Sequence, residues 1–269
     1  MSLSSTDRFG PAAAAAWLVQ QHLERRPFEP FAARFGIETL ARAYATQQAF
    51  VEILRAERGA PRAGFKIGLT STPMQAMCGI DTPVAGVVLG DEVRDAGAAV
   101  DRHAPVRLGL EFEIAVRLAH DLPAIDRHLT LAEVERAVDA VAPAIELVDD
   151  RACDYRSLDV LSLVADNAWN AGIVLGEFRS AWPALDEVRG RVLLEDGSLL
   201  DEGRGCDVLG HPLTPVAWLA RHLASRGDCL RAGEVVMTGS LVTTKFPGRA
   251  GRYRFEVSGL GAVDVAVVG

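Results

Sequence analysis

The run LGLEFEIAVRL, residues 108–118, sorts its side chains cleanly in one regular conformation. As a strand it places Leu110, Phe112, Ile114, Val116 and Leu118 on one face, and Glu111, Glu113, Ala115 and Arg117 on the other, because strand side chains alternate with period two. The apolar face seats the strand. The two glutamates are compatible with nothing more than a solvated outer face. A third carboxylate shifts that reading. Glu146 sits in VAPAIELV, residues 141–148, flanked on both sides by residues that want burial. A buried carboxylate must be paired, protonated or bound to a cation. The order Glu-x-Glu, helix, strand with Glu lets two adjacent strands gather three carboxylates around one point. With no His or Cys nearby, such a set suits a hard cation, Mg²⁺ or Mn²⁺, and suits zinc poorly.

The rest of the chain reads as α+β, a helical N-terminal part over residues 1–62 joined to a sheet-rich body over residues 63–269. Ala12–Arg26 is rich in helix formers, and Ile37, Leu40, Ala41, Tyr44, Val51 and Leu54 approximate a 3.6-residue period up to Arg58. From Gly64 on, short apolar runs alternate with Gly and Pro. Thr130-Leu-Ala-Glu133 is a capping box that opens a helix over Leu131–Val141. Thr214-Pro215 predicts an N-cap and N1 proline for a helix reaching Ser225, stopped by Gly227. Asp196-Gly197 and Gly259-Leu260-Gly261 signal two hairpins.

A net charge of −8 with no basic run excludes a nucleic-acid footprint and an anionic membrane surface, leaving small-molecule ligands. The apolar stretch Ala12–Val19 is too short to span a bilayer and reads as helix rather than signal peptide. Cys78, Cys153, Cys206 and Cys229 lie far apart and read as buried thiols of a reducing compartment, so a cytoplasmic protein is expected.

GFKIGLTS, residues 64–71, places Lys66 between Phe65 and Ile67. The lysine is compatible with snorkelling, with a structural ion pair to Glu146, or with proton handling at a site. VADNAWNAG, residues 164–172, reads as an Asx-rich turn. VVMTGSLV, residues 235–242, runs a strand into Gly239-Ser240, where a backbone N–H and a hydroxyl could hold a carboxylate or simply make a turn. No nucleophile elbow, Walker loop or dinucleotide fingerprint is present.

In this order GFKIGLTS, GIDTPVAG (79–86), LEFEIA, AIELVDDR (144–151), VADNAWNAG, GHPLTPVAWLA (210–220) and AGEVVMTGSLV resemble the 2-oxopent-4-enoate hydratases and the related 4-oxalocrotonate decarboxylases, both within the fumarylacetoacetate hydrolase superfamily. The resemblance spans residues 37–268. It implies a mixed β-roll body and Mg²⁺ or Mn²⁺ held by Glu111, Glu113 and Glu146. It also implies proton-carrying roles for Lys66 and Asp81, and substrate contacts at Gly239, Ser240, Asn167 and Leu163. A homo-oligomer and a 2-oxo or 2-hydroxydienoic acid substrate are implied with them. The hydratase reaction, adding water to a 2-hydroxy-2,4-dienoate to give a 4-hydroxy-2-oxo acid, is the expected activity. Decarboxylation of a 2-oxo acid is the alternative, and a catalytically silent binding protein of the same fold a more distant one. Two departures bear on the choice. Pro83-Val84-Ala85-Gly86 stands where hydratases show Pro-Asp-Phe-Gly, and Ser162-Leu163 stands where they often carry Asp-Thr.

Overall fold

A computed structural model describes residues 9–122 and 127–269. In chain order the elements are α1 (Pro11–Leu23), α2 (Leu40–Arg58), β1 (Arg62–Gly68), α3 (Thr72–Met77), β2 (Val84–Leu89), β3 (Val93–Asp95), β4 (Ala99–Asp101), β5 (Leu108–Leu118), α4 (Leu131–Ala137), β6 (Val138–Asp149), α5 (Val160–Ala165), β7 (Asn170–Leu175), β8 (Arg189–Leu194), β9 (Leu199–Arg204), α6 (Leu213–Ala224), β10 (Val235–Ser240), β11 (Gly251–Val257) and β12 (Gly261–Val268). This is the expected α+β arrangement, with helices leading into sheets. Both predicted hairpins form, β8–β9 and β11–β12. Among the described residues no helix is long and apolar enough to cross a membrane. All four cysteines are free thiols, but only Cys153 is buried as expected; Cys78, Cys206 and Cys229 are partly exposed.

Seven strands form a mixed sheet in the order β2-β1-β10-β5-β6-β7-β3, and five form a second sheet in the order β4-β12-β11-β8-β9. The even-numbered face of β5 packs toward the second sheet, with Phe112 and Phe255 ring centroids 5.6 Å apart. The seven-stranded sheet curls on itself. Val88 of β2 and Ile173 of β7, from strands near its two ends, join Ala115, Ala144, Val235 and Met237 in one buried cluster inside the curl. One side chain clasps these ends together. Asn167 accepts the Val87 N–H at 2.7 Å and donates to the Val87 carbonyl at 2.8 Å, satisfying both backbone groups as a neighbouring strand would. The helices of the first 62 residues share the main core, since Leu18, Phe31, Phe35 and Phe50 lie in the same apolar cluster as Phe112, Leu219 and Val265.

Two helix boundaries differ from the sequence expectation. The capping box of Thr130 and Glu133 forms as expected, but α4 stops at Ala137 rather than Val141. From Val138 on, the chain pairs with β5, beginning at Leu118, and these long-range hydrogen bonds outcompete continued helix. Helix α6 starts at Leu213, before Thr214. The His211 ring nitrogen Nδ1 accepts the Leu213 N–H at 3.0 Å, so it, rather than the threonine, meets a free donor of the first turn.

Candidate metal centre and substrate cavity

Antiparallel pairing of β5 and β6 sets Glu111 directly opposite Glu146 and Glu113 opposite Ala144. All three glutamates therefore project into the curl of the large sheet. Each offers a carboxylate oxygen, and these atoms lie within 4.8 Å of one another. Glu113 and Glu146 are fully buried and Glu111 is half-buried.

Each carboxylate is fixed differently. Pairing of β10 with β5 passes from Met237↔Ala115 to Ser240↔Glu113, so β10 carries one extra residue, a β-bulge. The bulge turns the Gly239 N–H onto Glu113 Oε2 at 2.7 Å. Only glycine fits there. Its φ is 112°, and an added Cβ would lie 2.2 Å from Thr70 Oγ1. Ser240 bridges the interrupted ladder by accepting the Phe112 N–H at 3.0 Å. Thr244 donates its hydroxyl to Glu111 at 2.6 Å. Lys66 reaches in from β1 with Nζ 2.9 Å from Glu146 Oε1, and Gly86 opposite it leaves the room, since a Cβ there would meet Lys66 Cγ at 3.1 Å. That ion pair is close but lacks hydrogen-bond angles. Both oxygens of Glu146 and Oε1 of Glu113 thus have no hydrogen-bond partner. Burial raises the pKa of Glu113 well above the usual carboxylate range, and its neighbours Glu146 and Glu111 add to the rise. Burial likewise lifts Glu146 to about 7 against the pull of Lys66. Burial works against the charge on Lys66, but Glu146 and Glu111 outweigh it and raise its pKa.

Three buried carboxylate oxygens without a hydrogen-bond partner, two on Glu146 and one on Glu113, beside the half-buried Glu111, are the donor set a hard divalent cation takes. The residues present fit the ion, and Glu111, Glu113 and Glu146 would hold it.

The cluster opens into a cavity of about 590 Å³. Lys66, Gly68, Glu111 and Ser240 line its metal end. Its apolar walls include Val84, Leu158, Leu163 and Trp169. Trp169 closes a turn in which Asn167, Ala168 and Trp169 have φ of 51°, 48° and 59°, three left-handed residues in succession. Such backbone is strained and persists where packing over-determines it. Here the Asn167 clasp and the edge-on contacts of Trp169 with Phe28 and Tyr155 hold it.

The structure gathers Lys66, Glu111, Glu113, Glu146, Gly239 and Ser240, and places Leu163 on the cavity wall. Ser162 turns away and accepts the Phe31 and Ala32 N–H groups. Asn167 is engaged with Val87 and is not among the lining residues. Asp81 is exposed in the bend between α3 and β2, also outside the lining. Thr244 and Tyr155 escaped the sequence reading. Neither stands in a motif, although Tyr155 follows the acidic pair Asp149-Asp150 and donates to Asp150 at 2.9 Å.

Three cations, Arg107, Arg151 and Lys245, are already committed to carboxylates. Arg107 forks onto the buried Asp150, with Nε–Oδ1 at 2.7 Å. Arg151 pairs with Asp166 at 2.5 Å, not with the adjacent side chains of Asp149 and Asp150. Lys245 pairs with Asp201 at 2.5 Å.

Comparison with known proteins agrees with this geometry. The profile of the fumarylacetoacetate (FAA) hydrolase C-terminal family matches residues 55–268. The 2-keto-4-pentenoate hydratase of Burkholderia vietnamiensis is 37% identical over 229 residues, 85% of each chain. The 4-oxalocrotonate decarboxylase of Pseudomonas putida is 33% identical over 231 residues, 86% of each chain. A solved 4-oxalocrotonate decarboxylase from Pseudomonas putida, complexed with magnesium and adipate, superposes with a TM-score of 0.88 at 28% identity, covering 99% of both chains. With hydratases and a decarboxylase among its relatives, the protein is thus a member of the fumarylacetoacetate hydrolase C-terminal family.

Proposed function

We propose that this protein is a divalent-metal-dependent hydratase that adds water to a 2-hydroxy-2,4-dienoate lacking a carboxylate at its far end. The supporting observation is the division of one cavity into a carboxylate-and-lysine end and an outer part without a free cation among its described lining residues. Lys66 is the one lysine or arginine in that lining, and it is paired with Glu146. A distal carboxylate would meet no free cation there, and at Asp201, Glu202 and Asp207 it would meet like charge, which is costly.

When bound by Glu111, Glu113 and Glu146, Mg²⁺ or Mn²⁺ supplies Lewis-acid polarisation of the carboxylate and 2-oxygen of such an acid. The protein does the rest. The bulge at Gly239 fixes Glu113, and Thr244 fixes Glu111, so the head group meets a preformed end of the cavity. Ketonisation moves the 2-hydroxyl proton off oxygen and places a proton on C5. Water then adds with hydroxide at C4 and a proton at C3. Lys66 stands at the head-group end and carries these protons. Leu163, Val84 and Trp169 exclude bulk water from the diene.

A decarboxylase reading is the runner-up, favoured by Ser162-Leu163 and by the structural match to a decarboxylase. Incubation with 2-hydroxypenta-2,4-dienoate and with 2-oxohex-3-enedioate, following diene absorbance and CO₂ together, tests the choice. Loss of absorbance from the monoacid without CO₂ supports hydration. Stoichiometric CO₂ from the diacid overturns it.

A further inference from the structure

The cavity is too large for the smallest substrate of the proposed reaction. Its volume of about 590 Å³ falls among pockets that enclose drug-sized ligands, which span about 300–1,000 Å³. A five-carbon acid would occupy only the end formed by Lys66, Gly68, Glu111 and Ser240. The remaining space has a definite chemistry. Met74 and Met77 of α3 and Phe246 after β10 are 39%, 49% and 42% exposed, and all three line this one cavity. They are three of the nine large hydrophobic side chains exposed among the described residues. Apolar side chains left in water and gathered around one opening mark a place where something apolar binds. The lining also carries acidic residues, Asp201, Glu202 and Asp207, and Asp201 already neutralises Lys245. An anionic tail is repelled there, whereas an uncharged one meets flexible thioethers that adapt to its shape.

We infer that the substrate carries an apolar alkyl or aryl substituent beyond the diene, and that Met74, Met77 and Phe246 grip it as specificity-determining residues. This rests on the proposal above for the 2-oxo acid head group, and assigns the tail independently. The carbon–carbon double bonds and the tail stay intact on binding, so no co-reactant is required.

Saturated 2-oxo acids of increasing length, which cannot be hydrated, test the tail apart from turnover. Binding of 2-oxopentanoate, 2-oxoheptanoate and 2-oxononanoate to the magnesium-loaded protein is measured by calorimetry. Each buried methylene is expected to tighten Kd about fourfold, equivalent to roughly 0.8 kcal/mol. Met77→Glu and Met74→Glu, both at exposed positions, are expected to cut that increment to below about twofold per methylene. Tight binding of all three acids with equal Kd overturns the tail assignment and leaves the head-group reading standing. Failure of every 2-oxo acid to bind overturns the head-group reading and the inference with it. An unchanged increment in both variants, with a change in sedimentation, overturns the inference by showing that the apolar rim is covered by a second copy of the chain instead.

Discussion

Replacing Glu113 by glutamine should stabilise the metal-free protein and abolish its response to magnesium. Glu113 is fully buried, and its neighbours Glu111 and Glu146 offer oxygens within 4.8 Å, against one facing ammonium, that of Lys66. Two like charges 4.8 Å apart repel by about 3.5 kcal/mol at an effective dielectric of about 20, and the distance is an outer limit. Glutamine removes the repulsion toward both neighbours and gives up the attraction to Lys66. Its amide oxygen still accepts the Gly239 N–H. Where the carboxylates are ionised, one repulsion is left uncancelled, a net gain of about 3 kcal/mol or about 6–12 °C in Tm for a chain of this size. Burial holds the pKa of Glu113 well above the usual carboxylate range, so the gain grows as pH rises. In magnesium the order reverses. Wild type gains about 2.7 kcal/mol at a hundredfold excess over its Kd, and the variant gains little. Thermal melts of both proteins in chelator and in magnesium provide the assay. A variant that melts below wild type in chelator and keeps the full magnesium shift would refute the reasoning.

Lys66→Ala should lower kcat by about 10²- to 10⁴-fold, the usual contribution of a proton-transfer group, while the magnesium-induced rise in Tm persists. An unaltered kcat in the folded variant would remove Lys66 from the chemistry. Asn167→Ala unpairs the Val87 N–H, leaves its carbonyl only the Asn170 amide at 3.2 Å, and puts alanine at φ 51°, so urea denaturation should show a loss of about 2–4 kcal/mol. A loss under half of that would mean the sheet closes without the clasp. Burial, with Arg226 adding to it, depresses the pKa of His222 from 6.5 to about 4. Between those values the unfolded chain binds the proton and the folded one does not, so stability held above pH 6.5 falls as pH drops toward 4 and levels off below. The partly exposed ring limits the effect to roughly 2 kcal/mol. Urea titrations across that window should show the slope in wild type and lose it in His222→Gln.

Much of the site was legible because its signals are local. Period-two alternation fixed which face of β5 carries Glu111 and Glu113, and apolar residues on both sides marked Glu146 as a buried carboxylate. Asp196-Gly197 marked a hairpin by turn chemistry alone, and the Thr130 capping box marked a helix start. Where α4 ends was not legible, because the bonds that replace it come from Leu118, a strand away. Nor was the fate of the cations. Arg151 lies beside two aspartates in sequence and pairs with a third, Asp166.

The amino-acid sequence by itself therefore determined the α+β class and the glutamate set, since spacing and neighbours decide which side chains share a face and which are buried, and it left Lys66 open between snorkelling, an ion pair and proton handling. Tertiary structure alone decided that β10 bulges so that the Gly239 N–H meets Glu113, and that the curled sheet closes through Asn167 onto Val87, eighty residues away. It also decided that the apolar rim of Met74, Met77 and Phe246 gathers at one mouth. Such features depend on register and closure between distant segments, which no local pattern encodes.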